Sequence, residues 1–196
     1  MKNIAIFGST GSIGVNSLNV IRNFPDRFKV VCLSTNKNYE LIYEQAKEFK
    51  PEFIIITNKS NNSNFKKQIN NTEVLFGREW FEEILKNTKI DILINSLVGF
   101  SGLEPTIIAI KNKIKVALAN KESLVTGGEL INKYLKEYNN QLIPIDSEHS
   151  AILQCIVGEK PDTISKLILT ASGGPFLNRN SNDFDTITVS EALNHP

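Results

Sequence analysis

Residues 2–14 read KNIAIFGSTGSIG: an isoleucine-bearing apolar run, then three glycines, Gly8, Gly11 and Gly14, set among small polar side chains. The apolar run with its β-branched residues predicts a strand over Lys2 to Phe7. The continuation, SIGVNSLNVIRNF, puts Ile13, Leu18, Val20, Ile21 and Phe24 near one face of a helix. Strand, glycine turn and helix therefore follow in order. Glycines at such a turn permit positive φ and close backbone approach, and the N–H groups at a helix start attract an anion such as a dinucleotide pyrophosphate. The spacing is G-x-x-G-x-x-G, not the commoner G-x-G-x-x-G, so a turn that merely joins strand to helix is the competing reading.

Outward from this unit, strand-like runs recur at Lys29–Ser34, Glu52–Thr57, Glu73–Phe76, Asp91–Ser96, Lys115–Ala119, Gln141–Ile145 and Lys166–Ala171. Between most of them lie segments with apolar residues at three- and four-residue steps, YELIYEQAKEF, REWFEEILKN, LEPTIIAIKN and KESLVTGGELINKYLKEY. The alternation predicts an α/β fold: a doubly wound, Rossmann-like, mostly parallel sheet with helices on both faces, joined by right-handed crossovers. The asparagine-rich stretch NKSNNSNFKKQINN, residues 58–71, reads as a surface loop with a poorly packed helix.

At 196 residues the chain can hold one well-buried domain and the beginning of a second. Twenty-two basic residues balance twenty-one acidic ones, so no field favours nucleic acid or an anionic membrane, and a small molecule is the expected partner. Apolar stretches such as FIIIT and IDILIN fall far short of the ~20 residues of a membrane span. A strand beginning at Lys2 leaves no room for a secretory or transit signal, which points to the cytoplasm. Cys32 falls in a predicted strand and Cys155 on the apolar side of a predicted helix. They form no metal or redox spacing, and both read as reduced core residues.

In such a sheet, ligands sit beyond the carboxyl ends of the strands. The second strand ends LSTNKN, where Lys37 stands among Ser34, Thr35, Asn36 and Asn38 with no acid to engage ribose hydroxyls, so the pocket suits NADP better than NAD. LANKES places Asn120, Lys121 and Glu122 where a strand gives way to a helix. IPIDSEHSA places Asp146, Ser147, Glu148 and His149 at the end of the next run. Asp146 and Glu148 can point at one cation, and hard oxygen donors favour Mg²⁺ or Mn²⁺. Equally, Asp146 or Ser147 can cap a helix whose first turn carries Glu148. LTASGGPF sets Ser172, Gly173 and Gly174 after a further run, either as a phosphate-binding turn or as a plain glycine turn closed by Pro175. From the residues alone the function is that of an NADP-dependent, metal-assisted enzyme acting on a phosphorylated substrate.

Four ordered stretches, GSTGSIG, LANKESLVT, DSEHSAI and SGGPF, closely resemble the 1-deoxy-D-xylulose 5-phosphate reductoisomerase family, and the match runs along essentially the whole chain. The resemblance implies conversion of 1-deoxy-D-xylulose 5-phosphate, a phosphorylated ketose, to 2-C-methyl-D-erythritol 4-phosphate. It further implies NADPH, a divalent cation (Mg²⁺, Mn²⁺ or Co²⁺) and a homodimer in the full-length enzyme. An NADP-binding domain over 1–146 and the start of a catalytic domain over 147–196 follow from it. Thr10, Gly11, Ser12 and Ile13 match the family's pyrophosphate turn, Asn36, Lys37 and Asn38 its adenosine-phosphate region, and Asn120 and Glu122 further cofactor contacts. Asp146 and Glu148 match metal ligands, which decides the capping question for Asp146 in favour of the metal. Lys121, Ser147, Glu148, Ser172 and His195 match substrate contacts, with Lys121 and Glu148 catalytic. Asn36 stands where many relatives have glycine. The family's third metal carboxylate, its serine–asparagine–lysine phosphate cluster and its C-terminal helical domain correspond to positions beyond Pro196, so a bare NADPH-binding module is the alternative function. A semialdehyde dehydrogenase would need a nucleophilic cysteine at a strand end, where neither Cys32 nor Cys155 stands.

Overall fold

A computed structural model describes residues 1–59, 68–69, 71–170 and 173–194. By its internal contacts the chain divides into two compact units, Met1–Leu153 and Gln154–Pro196.

The first unit is an eight-stranded sheet. Its elements run β1 (Lys2–Phe7), α1 (Ser12–Asn23), β2 (Phe28–Thr35), α2 (Tyr39–Phe49), β3 (Phe53–Ile56), β4 (Gln68–Ile69), β5 (Thr72–Phe76) and α3 (Trp80–Asn87). They continue with β6 (Ile92–Asn95), a short 3₁₀ turn at Gly99–Gly102, α4 (Leu103–Lys111), β7 (Lys115–Leu118), α5 (Lys121–Glu137), β8 (Leu142–Pro144) and α6 (Ser147–Ile156). The strand order is β4-β5-β3-β2-β1-β6-β7-β8, parallel throughout except for the antiparallel β4 at the edge. From β1 the chain first winds outward through β2, β3 and β5, then returns to the other side of β1 at β6. That reversal is the topological switch point, where two loops part and leave a crevice.

Period-two alternation along β1 sorts the core into two layers. Ala5 and Phe7 face α3, α4 and α5, packing with Phe81, Leu85, Ala109, Ile110 and Ile131. Ile4 and Ile6 face α1 and α2, packing with Leu18, Ile21, Ile42 and Ala46. Each buried Leu, Ile or Phe among them contributes about 1.5–3 kcal/mol, and Leu18 and Ile21 hold α1 in place although Gly14 is a poor helix former. Beside β1 the β2 register slips by one, Ile4 pairing with Val30 but Ala5 with Cys32, which lets Val31 and Cys32 enter the same layer.

Four expectations need correction. Val20 and Phe24 do not join the buried face of α1: Val20 is 54% exposed and Phe24 44%. Cys32 is buried as expected, but Cys155 is exposed, because α6 buries no residue at all. Residues 166–170 form no strand; Leu167, Ile168 and Leu169 are all exposed. An apolar, β-branched run becomes a strand only against a partner edge, and these residues have no ladder partner among the described residues. Most of the asparagine-rich stretch lies outside the described residues, but its Gln68–Ile69 pairs with β5 as β4, contrary to a loop-and-helix reading.

The second unit carries two 3₁₀ turns, Pro161–Thr163 and Ser181–Thr186, and α7 (Val189–Leu193). A capping box closes the start of α7: Thr188 accepts from the Glu191 N–H, while Glu191 accepts from the Thr188 N–H. Gly173 and Gly174 both take positive φ, 80° and 72°.

Candidate functional site

The switch point is built from the glycine stretch upward. Gly8 ends β1 at φ 84°, and a Cβ there would meet the Ser96 carbonyl oxygen at 2.7 Å. Gly14, in the first turn of α1, leaves no room for a methyl group either: its Cβ would lie against the Gly8 oxygen and the Ser9 backbone. These two glycines let helix, turn and strand end pack backbone on backbone.

Polar contacts fix the turn. The Gly8 N–H donates to Ser34 Oγ (2.9 Å) and the Ser9 N–H to the Ser34 carbonyl (2.9 Å). Ser9 Oγ donates to Gln45 Oε1 (2.8 Å), and Gln45 Nε2 returns a bond to the Ser9 carbonyl (2.9 Å), all buried. Ser96 Oγ donates to Phe7 O (2.8 Å). Ser34 belongs to the polar strand end read from the sequence; Gln45 and Ser96 carry no motif there, because each acts on backbone brought near only by the fold.

The start of α1 stays open. Its N-cap, Gly11, offers no side-chain acceptor and no acid stands in the first turn, whereas Asn38 caps α2 and Asn120 caps α5. The first N–H groups of a helix have no intrahelical partner, and the macrodipole adds positive potential there. This end opens on a groove of about 460 Å³ whose lining includes Gly8, Thr10, Gly11, Thr35, Asn36, Lys37, Asn38, Arg78, Ser96 and Val98. Two of its lining side chains are cationic and none is a carboxylate. A pyrophosphate at α1 and a phosphorylated ribose near Lys37 fit that chemistry.

Thr10, Gly11, Asn36, Lys37 and Asn38 thus come together; Ser12 and Ile13 follow Gly11 as the first residues of α1. Thr10 Oγ1 is 2.8 Å from Thr35 Oγ1. The Asn38 side chain is engaged as the α2 cap, accepting from the Leu41 N–H (3.1 Å). Asn120 is 2% exposed and committed to structure: Nδ2 donates to Leu97 O and Gly99 O at 2.6 Å each, and Oδ1 accepts from the Ser123 N–H. Glu122 is exposed in the first turn of α5. Arg78, absent from the sequence candidates, follows β5 and lines the same groove.

A second polar group lies at the carboxyl ends of β7 and β8. Lys121 opens α5 and Glu148 lies in the first turn of α6; Lys121 Nζ stands 3.1 Å from both Glu148 oxygens. Glu148 is held below its usual carboxyl range first by its own backbone N–H, then by Lys121 and the Ser147 hydroxyl. Asp146 is 7% exposed. It accepts from the His149 N–H (3.3 Å) and lies 2.8 Å from His149 Nδ1, so it caps α6 as the chemistry of the sequence allowed. Among the described residues no group of three His, Cys, Asp or Glu side chains could enclose a metal ion. Two hard carboxylates suit Mg²⁺ or Mn²⁺ in kind and fall short in number. Ser172 and His195 lie outside the described residues. Burial pushes the Cys32 thiol far up, which makes it a poor nucleophile. Among the described residues no helix is long and apolar enough to cross a membrane.

Sheet topology, open helix start and cationic groove define a doubly wound α/β protein of the dinucleotide-binding kind. The 1-deoxy-D-xylulose 5-phosphate reductoisomerase family model matches residues 4–128, and that of the family's C-terminal domain matches residues 142–196. The chain belongs to the 1-deoxy-D-xylulose 5-phosphate reductoisomerase family. It is 48% identical over 198 residues to the reductoisomerase of Chloroherpeton thalassium and 45% identical over 196 to that of Thermodesulfovibrio yellowstonii, in each case over 100% of this chain and 51% of the relative. Among solved structures it matches the Zymomonas mobilis enzyme in complex with NADPH (34% identity, TM-score 0.90, 100% of this chain and 52% of that one). A reductoisomerase in complex with NADPH, fosmidomycin and magnesium also matches (34%, TM-score 0.84, 100% and 51%). The chain spans about half the length of the curated relatives it matches.

Proposed function

We propose that this chain is the cofactor-binding half of an enzyme that converts 1-deoxy-D-xylulose 5-phosphate to 2-C-methyl-D-erythritol 4-phosphate. The observation that carries the reading is the groove at the switch point, where an uncapped helix start meets Lys37 and no carboxylate intrudes. In this reading residues 1–146 hold NADPH and 147–196 begin the catalytic domain. Ser12 and Ile13 offer N–H groups to the pyrophosphate, Lys37 attracts the 2′-phosphate, and Asn36 and Asn38 flank it. Asn120 and Glu122 support the nicotinamide end, Asn120 by fixing the loop at Leu97 to Gly99.

The cation and NADPH supply, when bound, stabilisation of negative charge on substrate oxygens and a hydride. Asp146 and Glu148 would hold the cation by carboxylate oxygens. Glu148 now shares its charge with Lys121; once Glu148 turns to another partner, the Lys121 ammonium is free to donate to a substrate oxygen. Ser147, with Ser172 and His195 through their family motif, would bind the phosphorylated ketose. A cytoplasmic enzyme, homodimeric at the relatives' full length and without a nucleic-acid partner, completes the reading; near-neutral charge supports the last point.

Residues 1–196 carry the cofactor groove, and among the described residues no group of three His, Cys, Asp or Glu side chains could hold a metal ion, so NADPH binding without reductoisomerase turnover is expected of this chain. Cofactor fluorescence, read beside NADPH oxidation with substrate and Mg²⁺, tests this. Substrate-dependent oxidation by protein whose measured mass ends at Pro196 would overturn it, and so would absence of NADPH binding.

A further inference from the structure

The geometry points to Arg78 as a second cation that reads the 2′-phosphate of the cofactor, entering the groove from a different element than Lys37. The inference rests on the cofactor reading above and extends it to a residue outside the glycine motif. Arg78 sits in the turn between β5 and α3, while Lys37 follows β2; in the sheet β3 lies between their strands. Both side chains line one groove.

Two contacts hold the guanidinium in place. Its Nη2 donates to the Ser101 carbonyl at 3.0 Å, tying the β5–α3 turn to the 3₁₀ turn after β6. Its Cζ lies 5.7 Å from the centroid of the Phe81 ring, and Phe81 in turn stacks on Phe7 at 4.3 Å within the core. One anchored N–H leaves four of the five guanidinium donors for a ligand, in a planar fork that matches phosphate oxygens.

Charge pairing and position together single out Arg78. Arg22 pairs with Glu48 and Arg179 with Glu191, whereas among the described residues no carboxylate pairs with Arg27, Arg78 or Lys37, and of these three Arg78 and Lys37 line the groove. Glu79, next to Arg78, is engaged by Lys59 instead. Two unneutralised cations facing a groove without acids are a binding site for more than one negative charge, which a 2′-phosphate supplies and a ribose hydroxyl does not.

Equilibrium titration of NADPH and of NADH against the wild-type protein, Arg78→Gln and Arg78→Lys tests the role. Glutamine keeps a polar N–H donor at this position and loses the charge. Arg78→Gln is expected to weaken NADPH roughly ten- to hundredfold, the range for losing a charged hydrogen-bond partner, to leave NADH within twofold, and to flatten the salt dependence of NADPH binding. Arg78→Lys restores part of the loss. Equal weakening of both cofactors, or of neither, in variants that keep the wild-type urea midpoint overturns the role of Arg78 and leaves the cofactor reading standing. Wild-type protein that takes neither dinucleotide overturns the cofactor reading and this inference with it.

Discussion

Replacing Gly14 with alanine adds one methyl group where three backbone atoms already stand: Gly8 O at 2.4 Å, Ser9 Cα at 2.5 Å and Ser9 C at 2.6 Å from the new Cβ. None is the end of a flexible side chain, so helix α1 must shift away from the β1 turn as a unit. The gain in helix propensity, about 1 kcal/mol, is outweighed. Overpacking a rigid site costs typically 1–3 kcal/mol, and with backbone on every side the upper end applies, for a net loss of about 2 kcal/mol. With a urea slope of about 2 kcal/mol/M, the midpoint falls by about 1 M. The fluorescence of Trp80, the single tryptophan, packed at the edge of the α3 layer, reports the transition of the first unit. Gly128→Ala is the matched control. Gly128 lies in α5 with nothing within 4 Å of its Cβ, so the same substitution is expected to raise the midpoint by about 0.25–0.5 M. If Gly14→Ala leaves the midpoint at or above wild type, the close packing of α1 on the glycine turn is wrong.

Lys37→Glu places a carboxylate in a groove that has none and is expected to reverse the preference for NADPH over NADH; an unchanged ratio in paired titrations would remove Lys37 from the site. Asp146→Asn keeps an oxygen able to accept from the His149 N–H and loses the charge. Helix content by circular dichroism should hold while Mn²⁺ binding, read by water-proton relaxation, falls at least about tenfold; equal Mn²⁺ binding would leave Asp146 a helix cap only. Glu191 is held by the Thr188 N–H, then by Arg179 and the Thr188 hydroxyl, with its carboxyl lowered from 4.5 to about 2. Since the folded value is the lower one, this contact favours the folded α7 above pH about 4.5 and is lost as pH falls toward 2. Carbon-13 shifts of the carboxyl group check it, and a midpoint near 4.5 would contradict the capping box. In native protein an aromatic disulfide reagent should titrate Cys155 alone, with Cys32 reacting only on unfolding; two fast thiols would contradict the packing of β2.

Much of this molecule is legible from local pattern. KNIAIF is an apolar run with β-branched residues and SIGVNSLNVIRN repeats at helical spacing, so β1, the turn and α1 can be read before any contact is known, and the same rule finds the other parallel strands. The rest depends on what lies nearby in space. KLILT reads as a strand by its leucines, Ile168 and Thr170, and forms none, since nothing pairs with it among the described residues. Gln68–Ile69, in a polar stretch, pairs because β5 offers an edge. Cys155 sits at a helical spacing that promises burial, but α6 buries none of its residues. At the site, Lys37 and Gly11 announce themselves by motif. Arg78 stands in a plain GREW turn and enters the groove only because β5 and β6 bring their loops together.

The central claim is that a dinucleotide binds at the crevice between β1 and β6 on the open start of α1. Amide nitrogen–proton shifts of the labelled 196-residue protein, followed as NADPH is added, test it most directly. The account expects saturable shifts at Gly8 to Ile13, at Thr35 to Asn38 and at Ser96 to Ser101. Shifts confined to the apolar groove beside Val20 and Ile143, or none in protein whose Trp80 reports a folded first unit, would contradict it.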